Sequence, residues 1–218
     1  MKYKEVKLKK HMKIINWNFK GGVGKSVIAL NLALSLKGEY GLVTNDFYSP
    51  IETVFPSPSE RFLKLKPTDE LPEFPDNYKI IYDLGGYIDQ RFIPVIKESK
   101  VVVIPTINSE EELKVTVEAI REISHYNDNI LIIANRLGID PKVKKEEDLD
   151  SITKFIHEHY GDKYKILPLN NSKGFPKIYT RKKSIQSLAK ESGLNTYVYR
   201  ETVYQLEEIN KNITLLTK

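Results

Sequence analysis

A doubly wound α/β fold, with a mostly parallel sheet and helices on both faces, is the class this sequence predicts, and three observations predict it. Short, almost wholly apolar runs recur at 12–17, 79–83, 101–105, 130–134 and 164–168, each closed by a polar loop, as strands buried on both faces require. Helical patterns separate them: segments 91–97, 110–124 and 148–160 carry apolar residues three and four apart, as at Leu113, Val117 and Ile120. The first apolar run leads through a glycine-rich loop directly into a second run of helical character at 27–36. In such a fold the ligand sits outside the carboxyl ends of the strands.

The remaining elements follow in order. Gly38 and Gly41 bracket a helix-to-strand turn, and 42–46 reads as a short second strand ending in Asp46. Segment 47–75 holds Pro50, Pro56, Pro58, Pro67, Pro72 and Pro75, so neither a long helix nor a central strand is expected there. It reads as an excursion with one helical turn around 60–65. The last helix, 199–216, places Val203, Leu206, Ile209, Ile213 and Leu216 on one face. Its polar face carries Glu201, Glu207 and Glu208 and few lysines, which suits packing on the domain better than gripping a membrane.

The 218 residues suffice for one domain with a proper core, expected over 12–218. No run of about 18 apolar residues is present to span a membrane. The absence of cysteine removes disulfides, iron–sulfur clusters and thiolate metal sites, and makes a reducing cytoplasm the expected setting. The formal net charge of +5 invites a nucleic-acid reading, but Lys2, Lys4, Lys7, Lys9 and Lys10 against Glu5 put +4 of it in residues 1–11, leaving +1 for the rest. Residues 1–11 form a basic leader, either a native arm or a remnant of cloning.

The glycine-rich loop carries the chemistry. Gly21, Gly22 and Gly24, with Val23 and Val27 beside them, let backbone N–H groups point at phosphates ahead of a helix N-terminus. Lys25 would neutralise β- and γ-phosphate charge, and the Ser26 hydroxyl would ligate magnesium. Phe19 stands where the standard pattern has glycine, and a second lysine, Lys20, precedes the glycine pair. Asp83 closes an apolar strand and is followed by Leu84, Gly85 and Gly86, the order expected of a magnesium-binding carboxylate with a γ-phosphate-sensing glycine, Gly86, behind it.

The stretch Lys-Gly-Gly-Val-Gly-Lys-Ser resembles the deviant Walker A motif of the ParA/MinD family, over residues 12–190. The resemblance implies a P-loop NTPase of the SIMIBI type that binds ATP and Mg²⁺ and forms an ATP-dependent homodimer in which Lys20 reaches the partner's nucleotide. The family's second strand ends in two aspartates, and here only Asp46 is present. The resemblance makes Asp46 the catalytic or water-positioning residue and implies slow hydrolysis. It places Asn135 at the base-contacting position, Pro168 at the adenine-side loop, and Arg181, Lys182 and Lys183 in a segment that binds DNA without reading sequence. A partition protein of the cytoplasm and nucleoid, stimulated by a centromere-binding ParB-type partner, is the function implied. A MinD-like membrane-associated regulator and a non-hydrolysing nucleotide-dependent module are the alternatives.

Overall fold

The computed structural model describes residues 12–55, 59–75 and 77–216, so the basic leader lies outside the described residues. Seven strands form one sheet in the order β3-β2-β4-β1-β5-β6-β7, and every pairing is parallel. They are β1 (Met12–Asn16), β2 (Tyr40–Thr44), β3 (Phe62–Lys64), β4 (Lys79–Asp83), β5 (Val101–Thr106), β6 (Ile130–Leu137) and β7 (Lys165–Asn170). Helices α1 (Lys25–Ser35), α5 (Phe175–Arg181), α6 (Ile185–Ala189) and α7 (Gly193–Leu216) pack on one face. On the other lie α2 (Ile93–Glu98), α3 (Glu110–Ser124) and α4 (Lys145–Tyr160).

The period-two geometry of strands divides each apolar run between two cores. Ile14, Val101, Val103, Leu131 and Ile133 face the α1–α7 side, while Ile15, Val102, Ile104, Ile130 and Ile132 face the α3–α4 side. All ten are almost wholly shielded from solvent, which is why these strands read as continuous apolar runs instead of alternating ones.

Three expectations are corrected. The helical turn at 60–65 is the three-residue edge strand β3, whose Leu63 pairs with Val43, and a 3₁₀ turn at Pro50–Thr53 precedes it. A proline at the first position of that turn fits, because its missing N–H has no partner to lose there. β7 runs two residues past Pro168, which sits inside the strand opposite Ala134; as the first residue of the C-terminal half it interrupts the run without ending it. Two short helices, α5 and α6, were not foreseen, because each is too brief to display a helical period.

Helix α7 starts at Gly193, six residues earlier than the pattern suggested, and lays Tyr199, Leu206, Ile209 and Ile213 into the core. Buried Gln205 pins it to β7: its Oε1 accepts from Asn170 N at 2.8 Å, and its Nε2 donates to Asn170 Oδ1 at 3.0 Å. This helix is part of the domain. Ile209→Ala should therefore cost about 2–4 kcal/mol of unfolding free energy by urea titration, as cavity-forming substitutions in close-packed cores do.

Candidate functional site

The site forms where β1, β2 and β4 end side by side. Parallel register sets Asn16 beside Asp83 and Thr44 on the other side of Asp83, so three chain segments deliver polar groups to one spot. Asn16, wholly buried, donates through Nδ2 to Lys25 O at 2.5 Å and to Asp83 Oδ1 at 3.3 Å. Thr44 Oγ1 donates to Asp83 O at 2.8 Å and accepts from Asp46 N at 3.1 Å. Asn45 Oδ1 accepts from Gly85 N at 2.7 Å, fastening the end of β2 to the turn after β4.

The loop between β1 and α1 is shaped by left-handed backbone at Gly22 and Gly24, with φ of 79° and 99°. At Gly24 a Cβ would fall 2.2 Å from Asn135 Nδ2, while Gly21 and Gly22 face open space. Asn135 thus lies behind the loop, with its Nδ2 donating to Val23 O at 2.8 Å. The loop's leading edge is fixed by Asn18, whose Oδ1 accepts from Lys20 N at 3.1 Å and whose Nδ2 donates to Pro105 O and Thr116 Oγ1 at 2.8 and 3.0 Å. Gly86 abuts this loop directly: a Cβ there would come within 2.5 Å of Phe19 O.

A cavity of about 480 Å³ opens in front of these groups, lined by Gly21, Gly22, Gly24, Lys25, Ser26, Val27 and Asp46 and by Arg136, Phe175, Pro176 and Tyr179 from β6 and α5. Of the residues expected at a bound base, neither Asn135 nor Pro168 lines it. Arg136 does, in left-handed conformation (φ 57°) at an irregularity of β6 where pairing skips from Asn135 to Leu137. A non-glycine residue held so at a strand end is a mark of strain stored at a site. Sequence reading missed Asn16, Asn18, Phe175, Pro176 and Tyr179. An asparagine inside the apolar run of β1 was the available signal for the first.

Charge in the site is tightly held. Burial pushes Asp83 up to about 7, and Ser26, Lys25 and Asn16 only partly offset it while Asp46 adds to it. Burial likewise lowers Lys25, against the pull of Asp83 and Asp46, and its Nζ donates to Lys20 O at 2.7 Å. Asp83 Oδ2 and Asn16 Oδ1 are buried without hydrogen-bond partners. An orphaned carboxylate oxygen beside Ser26, in front of a loop whose glycines leave open space, fits a hydrated divalent cation and a phosphate chain. Lys20 points elsewhere: it pairs with Glu111, with Glu112 at 3.9 Å, and Glu111 raises its pKa.

The basic residues lie apart from the cavity. Arg181, Lys182 and Lys183 are exposed at the end of α5, where Lys182 adopts φ 54° and Lys183 pairs with Glu191 at 2.7 Å.

No protein-family model and no curated protein matches the sequence. Solved structures do. A ParA family ATPase from Chlorobium tepidum superposes with a TM-score of 0.62 at 16% identity, over 92% of this chain and 98% of that one. The cell division ATPase MinD of Pyrococcus furiosus gives 0.68 at 13%, over 94% and 99%. The septum site-determining protein MinD of Pyrococcus horikoshii, complexed with Mg-ADP, gives 0.65 at 12%, over 93% and 96%. The chain thus has the α/β fold of the ParA/MinD ATPases over nearly its whole length. At these identities the likeness is one of fold.

Two outcomes follow from the geometry. With Asp83 at about 7 when folded and near 3.8 otherwise, the folded protein binds the extra proton between those values. Stability of the ligand-free protein should fall as pH rises through that window, by up to about 1.4 kcal/mol per pH unit. Asp83→Asn should flatten this slope in urea titrations across the window. Gly86→Ala should force the Phe19 carbonyl aside and cost about 1–3 kcal/mol of unfolding free energy in the same titrations.

Proposed function

We propose that this protein is an ATP-dependent dimerising switch ATPase of the ParA type, acting in DNA partition. The observation that carries the reading is the assembly, on a ParA/MinD fold, of the glycine-rich loop with Lys25, Ser26 and Asp46 about one cavity, with Asp83 buried close to Ser26 and Lys25. Bound there, Mg²⁺ would stabilise the charge of the transferring phosphoryl group. Loop N–H groups and Lys25 would cradle the phosphates, and Ser26 and Asp83 would hold the cation and its water. Asp46, whose Oδ1 already accepts from Tyr48 N at 3.0 Å, is the one carboxylate at the cavity from the end of β2, and would orient the attacking water. Arg136 offers a planar cation for the base side, with Asn135 supporting the loop from behind.

In the dimer, Lys20 would leave Glu111 and place its charge on the partner's γ-phosphate, as an arginine finger does. Exposed Phe47, Tyr48 and Tyr87 follow Asp46 and Gly86 directly, and would be covered in such a dimer. Arg181, Lys182 and Lys183, doubled by dimerisation, would contact DNA phosphates without reading sequence, and a centromere-binding partner would trigger hydrolysis and release. The single acid after β2 also favours a second reading, a nucleotide-dependent module that does not hydrolyse. Phosphate release in the presence of DNA and partner separates the two.

Lys20→Ala should retain ATP binding yet lose ATP-dependent dimerisation and stimulated phosphate release, read by light scattering and a phosphate assay. An unchanged rate in a monomeric variant would sink the trans-acting role. DNA binding with ATP should weaken steeply with rising salt, and should persist when residues 1–11 are removed.

A further inference from the structure

We propose that the Tyr179 hydroxyl donates a hydrogen bond to the terminal phosphate of a bound nucleoside triphosphate, so that α5 reports the nucleotide's phosphate count to the basic run at its own end. The inference rests on the ATP-binding reading above.

Tyr179 lines the cavity together with Lys25, Ser26 and Asp46, the groups that neutralise and orient the far end of a triphosphate. Its ring packs, with that of Phe175, against the α1–α7 core, which restrains the phenol. The hydroxyl makes no hydrogen bond among the described residues, although the side chain is partly buried. A half-buried phenol without a partner, in a cavity that Lys25, Ser26 and Asp46 also line, is a donor awaiting an acceptor. Burial, with the Asp83 charge adding to it, holds its pKa up at about 12. The phenol therefore stays protonated near neutrality, where it can donate to an anionic oxygen and cannot serve as a base. Asp46 is the acid that the segment after β2 brings to the cavity, and a neutral donor lining the same cavity contributes specificity for a terminal phosphate without adding negative charge.

Placement supplies the second half of the argument. Helix α5 packs on α1 and on the 3₁₀ turn after β2, and two residues beyond Tyr179 it ends in Arg181, followed by Lys182 in left-handed conformation and Lys183. Beyond it, Ile185 N is tied to Asn31 Oδ1 of α1 at 2.9 Å. The basic run is thus strung between an anchored point and a helix whose tyrosine faces the phosphate site. A pull on Tyr179 reaches Arg181 through less than one helical turn.

Tyr179→Phe removes the hydroxyl and keeps the ring. Affinities of the variant and wild type for a non-hydrolysable ATP analogue and for ADP, each with Mg²⁺, test the contact, with urea midpoints confirming the fold. The analogue should bind about tenfold or more weakly to the variant and ADP within about twofold, as loss of a charge-assisted bond made only to the third phosphate requires. No loss, or an equal loss for both nucleotides, overturns the contact while leaving ATP binding intact. A wild type that binds neither nucleotide overturns the ATP reading and this inference with it. The coupling is read by trypsin cleavage at the basic run: wild type should be cut at different rates with the analogue and with ADP, and the variant at equal rates. A wild type cut equally in both states overturns the coupling.

Discussion

A single buried amide holds the site together. Asn16 Nδ2 reaches both Lys25 O, at the start of α1, and Asp83 Oδ1, at the end of β4. The contact exists only because β1 and β4 run parallel with Asn16 beside Asp83, and a slip of one residue in either strand would turn its side chain to the opposite face. Everything that the cavity presents, from the glycine-rich loop to the turn carrying Gly85 and Gly86, hangs from this pairing. The arrangement leaves Asn16 Oδ1 and Asp83 Oδ2 buried and unpartnered, a local cost in stability of the kind that functional sites carry and that well-formed cores elsewhere offset.

Much of this was readable in the chain. Strands β1, β4, β5 and β6 announce themselves as apolar runs because burial on both faces leaves no room for polar alternation, and β7 shows a similar run at the sheet's edge with Lys165 exposed. Asp83 and the loop at 18–26 are legible because phosphate and magnesium chemistry demands particular residue types at fixed spacing. Phe175, Pro176 and Tyr179 were harder for a physical reason: they reach the cavity from a seven-residue helix, too short to show a period. β3 escaped because a three-residue edge strand is defined by its neighbour β2 and by nothing in its own composition. Pro168 misled because proline so often ends a strand, whereas here it tolerates a position near the sheet's edge.

The electrostatics modify what the formal charge suggests. Lys20 is engaged by Glu111 and Glu112, Lys183 by Glu191, Lys145 by Glu201 and Lys163 by Asp128, so several cations already have local counter-charges. Exposed pairs of this kind are individually weak and exchange readily for a stronger anion. Polyanions would compete for the same lysines, which suits charges needed only in one state of the molecule.

The contact between Gly86 and the Phe19 carbonyl has a mechanical meaning. Two stretches of main chain meet there with no side chain between them, and close-packed atoms compress very little. A displacement of the turn after β4 cannot be absorbed by a rotamer change; it must be passed on as movement of the glycine-rich loop, and the reverse holds equally. The pair behaves as a rod, not a spring, so the two loops share one position instead of holding two.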